Sequence, residues 1–510
     1  MISPVKEQSS RHYVDVGGRR IHYRRLGEGP PVVLLHASPR SSSAMLPLMT
    51  SAPHGVTVFA FDNPGFGLSD RVELSDAQAL DFGADLDAAL EALGIKQCPV
   101  YATHTGAAIA VGLALHAPHR VSRLVVDGLC AMTRAEAANT LANYLPTFNP
   151  VVDGQHLAWV WTRVRDQFLF YPWNQRGQGS RQPLSLHPTL DQVHAVVMDF
   201  LASGDNYRHA YSSAFTLDAT AAVAQIQVPT VIGARDFDML YPHLERLGKV
   251  RANIRIERFA SAIDEWQRQI WAHLMQGLTT EAAPRSVNPP LGTARISRTY
   301  VDADGLRMHV RGAMNGQGRP LVLLHDCPGA SAGLVRRLER VAGRRPVVAL
   351  DLPGHGDSQC LDSLSDINAV LGFLNAGLRD LGIDQAEVAG EGLGAVLATK
   401  LASQWMTNYE VEQDTMVLNR RIAENASYDP QRLVPGSFAA EEAGAHVFRA
   451  WQQARDSVIL GSWSSRRLDE FHPFGDALDA EAIHLRTIEI LKESTSAVDF
   501  RRAVYQAAME

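Results

Sequence analysis

One histidine stands where chemistry could be done without a cofactor. His104 lies in Ala102-Thr103-His104-Thr105-Gly106-Ala107, between an apolar strand and an Ala-rich helix. A helix N-terminus disfavours the imidazolium, so this ring is expected to be neutral at pH 7. A neutral imidazole is a usable nucleophile or general base without help from a partner. Attack on an ester would give an acyl-imidazole, which water removes readily. The remaining reactive residues point away from metals and disulfides. The four cysteines (Cys98, Cys130, Cys327, Cys360) are scattered with no CxxC, and no histidine cluster has zinc spacing. No metal, cofactor or disulfide framework is therefore expected, as in a reduced cytoplasmic protein.

The elements that must position His104 occur twice. Residues 13–36, YVDVGGRRIHYRRLGEGPPVVLLH, reappear loosely at 300–325 as YVDADGLRMHVRGAMNGQGRPLVLLH. FDNPGFGLSD (61–70) is matched by LDLPGHGDSQ (350–359), and ALGIKQCPVYATHTGAAIAVGLA (92–114) by DLGIDQAEVAGEGLGAVLATKLA (380–402). HLAWVWTRVRDQFLFYPWNQR (156–176) is matched by HVFRAWQQARDSVILGSWSSR (446–466), and the offset stays between 287 and 290 throughout. Such a constant register predicts a tandem repeat. Each copy reads as a hairpin turning at Gly17-Gly18 or Asp304-Gly305, then a buried strand, a strand ending in Asp62 or Asp351, an amphipathic helix (Ala77–Leu93 in the first), a strand, a tight turn and a helix. Alternating strands and helices predict an α/β fold with doubly wound, mostly parallel sheets.

Trp- and Arg-rich helices at about 131–220 interrupt the first copy as a cap, before strands return at 228–234 and 253–259. The second copy gives a strand-like TMVLN (415–419) and a cap segment, but no counterpart of those last two core strands. The expected domains are 1–278, a Pro-rich linker at 279–296, and a truncated copy at 297–510.

Bulk composition agrees with two folded domains: 510 residues, 46% apolar and 20% charged, exceed one ordinary core. Lys and Arg number 48 against 55 Asp and Glu, a formal charge of -7, and no basic run carries interleaved aromatics. Nucleic acid is not expected as a partner. Neither is a membrane, because no apolar stretch approaches the roughly 18 residues that span a bilayer.

These residues resemble the α/β-hydrolase superfamily, in the capped branch of haloalkane dehalogenases, epoxide hydrolases and ester hydrolases. The resemblance is carried by His36-Ala37-Ser38-Pro39, Asp62-Asn63-Pro64-Gly65-Phe66-Gly67-Leu68-Ser69, the turn around His104, and Gly233-Ala234-Arg235-Asp236. It implies a strained elbow, G-x-nucleophile-x-G, with His104 at the nucleophile position between Ala102 and Gly106. A shifted register would put Thr105 there instead and Thr103 where glycine is wanted. The resemblance further implies an acid at Asp236, or at Asp127 after the sixth strand, and oxyanion donors in the backbone N–H groups of Ser38 and Thr105. His36, Trp161, Arg165 and Arg176 are candidate substrate-binding residues, with Arg163 another cation for a substrate carboxylate. His36 and Asp62 also have a structural reading, as stabilisers of their loops.

Neither copy completes a Ser–His–Asp triad. The elbow of the second is Gly392, and the loop expected to supply the general base of the first, Phe259 to Glu265, contains no histidine. Three functions follow. The first is a hydrolase acting on a small ester, amide or lactone with His104 in place of serine. The second is a non-catalytic ligand-binding or assembly protein, and the third a cofactor-free proton abstraction or lyase reaction with His104 as base. The truncated second sheet should expose an edge that the first domain or a second subunit covers, which would make a homodimer.

Overall fold

The computed structural model describes residues 9–73, 76–182, 188–293, 295–404, 408–412, 436–459, 478–493 and 497–509. By compactness the chain forms two units, Met1–Asn149 with Trp159–Val287, and Pro150–Ala158 with Asn288–Glu510. The stretch Pro150–Ala158, inside the expected first domain, thus groups with the second unit. There the His156 ring packs on Trp451 at 4.7 Å.

The first unit is built on β1 (Ser10–Val16), β2 (Arg19–Leu26), β3 (Pro31–Leu35), β4 (Thr57–Phe61), β5 (Cys98–Thr103), β6 (Val121–Asp127), β7 (Thr230–Arg235) and β8 (Ile254–Phe259). They form one sheet in the order β1-β2-β4-β3-β5-β6-β7-β8. The β1–β2 and β2–β4 pairs are antiparallel, and the remainder are parallel. β3 and β4 are buried at every position, as expected of strands covered on both faces. Cap helices Arg134–Tyr144, Gln155–Leu169, Leu190–Ser203 and Tyr207–Thr216 come between β6 and β7.

The second unit has β9 (Ser297–Ala303), β10 (Leu306–Ala313), β11 (Leu321–Leu324), β12 (Val347–Leu350), β13 (Ala386–Gly390) and β14 (Tyr409–Val411). Its order, β9-β10-β12-β11-β13-β14, repeats the first six places of the other sheet. The sixth strand is Tyr409–Val411, whereas the expected strand at 415–419 lies outside the described residues, as does Trp463. Among the described residues no strand follows β14, and helices Ala445–Ile459, Ala480–Leu491 and Ala497–Met509 complete the unit.

A buried polar network recurs in both units. His22 Nδ1 meets Asp62 Oδ2 at 2.8 Å, while Ser42 N–H and Leu68 N–H donate to the same carboxylate at 2.6 and 2.8 Å. In the second unit His309 Nδ1 meets Asp351 Oδ2 at 2.8 Å, with Ser331 and Asp357 N–H at 2.6 and 2.9 Å. Each acid ties the hairpin, the Pro-Gly turn and the loop after the third strand together. Burial alone would raise these carboxyls, but the histidine beside each outweighs it and holds them well below the usual carboxylate range. Asp62 and Asp351 are framework residues. Among the described residues His309, Asp351 and Asp357 also form a group of metal-ligand type, but Lys492 Nζ already sits 3.1 Å from Asp357. No described helix is long and apolar enough to cross a membrane.

Candidate active site

The turn from β5 into the helix Thr105–His116 decides which residue faces the site. His104 has φ 50° and ψ −111°, a conformation that side-chain-bearing residues rarely adopt. A Cβ on Gly106 would lie 2.8 Å from the carbonyl oxygens of both Leu35 and His36, so only glycine lets the helix approach β3. His104 is therefore the elbow residue, and Thr105 is the first residue of the helix. The backbone N–H of His104 donates to the Asp127 carbonyl at 3.0 Å, which anchors the turn to the end of β6.

The carboxylate that meets the imidazole is Asp238, not Asp236. His104 Nε2 lies 2.8 Å from Asp238 Oδ2, with the two side chains 27% and 9% exposed. Leu240 N–H donates to the other Asp238 oxygen at 2.8 Å and fixes its direction. Asp236 instead projects from the turn after β7 to the surface, where Arg258 and Ser261 bind it. Asp127 is also corrected as a partner. Its Oδ2 accepts from Tyr101 Oη and Trp266 Nε1–H at 3.0 and 2.9 Å, and its bond to His104 is made by the backbone.

Electrostatics act against the effect of the helix terminus on this ring. Burial lowers the pKa of His104, but the charge and hydrogen bond of Asp238, with the charge of Asp127, raise it above 6.5 on balance. Burial opposes ionisation of Asp238 too, yet His104, the Leu240 N–H and Arg235 bring that carboxyl down to about 2. Gly128, at φ 75°, closes the other side of the ring. A Cβ there would lie 2.8 Å from His104 Cδ2 and 3.0 Å from Nε2.

Ser38 and Thr105 are both buried, and among the described residues neither backbone N–H has a protein acceptor. Their hydroxyls, Ser38 Oγ and Thr105 Oγ1, are likewise buried without a partner there. Tyr171 and Tyr211, half-buried in the cap, were not singled out by sequence. Tyr211 Oη lies 3.2 Å from Tyr144 Oη, and burial, with Tyr144, Cys130 and Asp238 adding to it, holds Tyr171 firmly protonated.

The expected substrate-binding residues are mostly elsewhere. His36 is fully buried, and both ring nitrogens are used: Nδ1–H donates to Ala37 O at 2.8 Å, and Nε2 accepts from Asn63 N–H at 2.9 Å. It holds its loop and has no lone pair to offer. Trp161 is buried in cap packing. Arg165 and Arg176 are exposed, with Arg176 Nε 2.7 Å from Asp166. Arg163 is enclosed by the rings of Trp173, Phe200, Tyr207 and Tyr144, and donates to Gln167 at 2.8 Å.

Asp238 was legible only as the second acid of Asp236-Phe237-Asp238. The absent loop histidine was the signal: an imidazole at the elbow reaches an acid directly, so no third residue stands between them. His273, the nearest histidine in the last helix, lies 3.3 Å from Glu257.

Comparison with known proteins agrees with this architecture. Residues 30–160 match a family model described as alpha/beta hydrolase fold. The match spans β4, β5 and β6 of the first unit and the turn that carries His104. The chain is 31% identical over 144 residues to cis-3-alkyl-4-alkyloxetan-2-one decarboxylase of Shewanella oneidensis, covering 28% of this chain and 42% of that protein. It is 34% identical over 126 residues to a haloalkane dehalogenase of Mycolicibacterium paratuberculosis, and 28% identical over 118 residues to 2-hydroxy-6-oxo-6-phenylhexa-2,4-dienoate hydrolase of Comamonas testosteroni. Each of these two matches spans 22% of this chain and 41% of the relative. The chain thus spans less than half the length of these relatives. Among solved structures, a Vigna radiata epoxide hydrolase mutant is similar at 20% identity and a TM-score of 0.43, over 53% of this chain and 99% of that one.

Proposed function

We propose that the first unit is a hydrolase, or a related lyase, acting on a small carbonyl compound such as an ester, amide or lactone. The observation that carries this reading is the dyad: His104 on a strained elbow, its Nε2 on Asp238, beside two backbone N–H groups with no described acceptor. Asp238 accepts the Nε2 proton, so in the neutral ring the lone pair is on Nδ1. That nitrogen attacks the carbonyl carbon, and the oxyanion is received by the Ser38 and Thr105 N–H groups. Collapse of the tetrahedral adduct breaks the bond to the alcohol or amine, which leaves with the proton that the acylated ring gives up at Nε2. Water then adds to the acyl-imidazole, releasing the acid and restoring the neutral ring. In the lyase form the same nitrogen takes a proton from carbon. Tyr171 and Tyr211, both phenols at neutral pH, can donate to a substrate oxygen from the cap. The Shewanella relative is named for an oxetan-2-one, a strained cyclic ester, which favours a lactone within this class.

In this reading the second unit, with Gly392 at its elbow, does not turn over substrate, and the pair arose by duplication. The shared strand order and the repeated His–Asp networks support that origin.

The test is hydrolysis of a p-nitrophenyl ester and β-lactone panel by wild type, His104→Ala and His104→Ser at equal folding. His104→Ala should reduce turnover by about 10³-fold, within the range for losing a nucleophile or base. Turnover unchanged in His104→Ala would exclude the dyad. A silent wild type that still binds panel compounds saturably would favour the ligand-binding alternative.

A further inference from the structure

The second unit has the same elbow turn, with a different occupant. Gly392 has φ 51°, matching His104, and Gly394 repeats the close approach of Gly106, its Cβ position 2.5 Å from the His325 and Leu324 carbonyl oxygens. The donors corresponding to Ser38 and Thr105 are Cys327 N–H and Leu393 N–H. Here both are occupied. Each donates to a single oxygen, Asp326 Oδ1, at 2.8 Å.

The seat of that carboxylate is the seat of the missing side chain. A Cβ built on Gly392 would fall 1.9 Å from Asp326 Oδ1 and 2.0 Å from its carboxyl carbon. In the first unit the residue corresponding to Asp326 is Ala37, and the elbow bears the large side chain of His104. The two positions have exchanged sizes. A small loop residue faces a large elbow residue in one unit, and a large loop residue faces a bare elbow in the other. Asp326 remains 28% exposed, and Arg486 lies 3.8 Å from its second oxygen, so the carboxylate is a lid reachable from solvent and not a sealed core residue.

We propose that the second unit retains a working oxyanion-binding pair whose resident anion is the chain's own Asp326 carboxylate, a self-occupying contact that closes the pair to outside carboxylates. Two convergent donors from separate loops are needed to hold a small monocarboxylate, and they are already aimed at one oxygen. Removing Asp326 leaves the pair, the space at Gly392 and Arg486 available to an acetate-sized anion. This holds whether or not the first unit turns over a substrate.

The four cysteines make the test specific. The deuterated full-length chain labelled with [15N]cysteine gives four backbone amide signals, and the one missing from Cys327→Ala is that of Cys327. In wild type this signal should lie downfield and ignore sodium acetate added at constant ionic strength. In Asp326→Ala it should move upfield, and acetate should return it saturably while the other three signals stay in place. A Cys327 signal unmoved by the substitution, or indifferent to acetate in a folded Asp326→Ala, would overturn the proposal. So would saturable acetate response at Cys327 in wild type. If Asp326→Ala does not fold, Asp326→Asn keeps the shape and removes the charge. Its Cys327 signal should move part of the way upfield, and an unmoved signal would again refute the assignment.

Discussion

His104 and Gly392 stand on the same turn, at φ 50° and 51°, and the two units solve the problem of that turn in opposite ways. The first sends an ionisable ring out from the elbow and leaves the Ser38 and Thr105 N–H groups without a described acceptor. The second removes the side chain and fills the donors from the neighbouring loop. The backbone of the elbow is thus independent of the chemistry it presents. What differs is one pair of residues, Ala37 with His104 against Asp326 with Gly392, and that exchange separates an accessible site from an occupied one.

The largest expected effect breaks the contrast at the dyad. Asp238→Asn should lower turnover by about 10²–10⁴-fold on any substrate found for the first unit, as loss of an orienting acid does elsewhere. Because Asp238 raises the His104 pKa, wild-type turnover should rise with pH through an inflection above 6.5, and the Asn variant should shift that inflection downward. A pH–rate profile of both proteins checks this, and an unshifted inflection would remove Asp238 from the dyad.

A smaller effect tests how far the frameworks match. Asp62→Asn and Asp351→Asn each break a buried His–Asp pair of the same geometry, and each should cost its unit about 3–5 kcal/mol in denaturant unfolding. Both acids have depressed pKa values in the fold. Their contribution is complete above the unfolded carboxyl range near pH 4 and is lost as pH falls below it. Clearly unequal losses would show that the networks carry different loads.

The two units part again at the helix above this loop. Asp199 binds Arg40 Nε at 2.9 Å and Ser41 Oγ at 2.7 Å. In the second unit Glu489, on the helix Ala480–Leu491, has its Oε2 3.1 Å from the Cβ position of Gly333, and its Oε1 has no partner among the described residues. Burial raises Glu489 to about 8, although Arg486 and other cations oppose it. The native state then holds a proton that the unfolded chain releases, so stability of the second unit should fall from about pH 4.5 to 8, by at most about 1.4 kcal/mol per pH unit. Glu489→Gln should remove this slope and stabilise the protein at pH 8, whereas Asp199→Asn should destabilise the first unit by about 1–3 kcal/mol. Thermal melts across that pH range distinguish the two.

The smallest effect sharpens the placement of the ring. Gly128→Ala puts a methyl group against His104 and should push Nε2 off Asp238, lowering the His104 pKa. Gly94→Ala, at a similar positive φ with only Pro284 nearby, controls for backbone strain and should leave the titration unmoved. Histidine NMR titration reads both.

Much of this was legible in the sequence. Hairpin glycines, fully apolar strand runs and the register of 287 to 290 residues determine two sheets of matching order, because these signals are local and repeat. The small residues around His104 likewise identify the elbow, since steric exclusion at a tight turn is written in residue size. Tertiary structure alone decided which carboxylates reach the two elbows. Asp236 and Asp238 are equal as letters, and the path of the chain after β7 turns one outward and the other onto the ring. Asp326 reads as a loop acid until β11 and β13 stand side by side and bring Leu393 N–H to its oxygen. The charge of His104 depends on the same distances, because burial and carboxylate attraction oppose each other and only geometry sets which prevails.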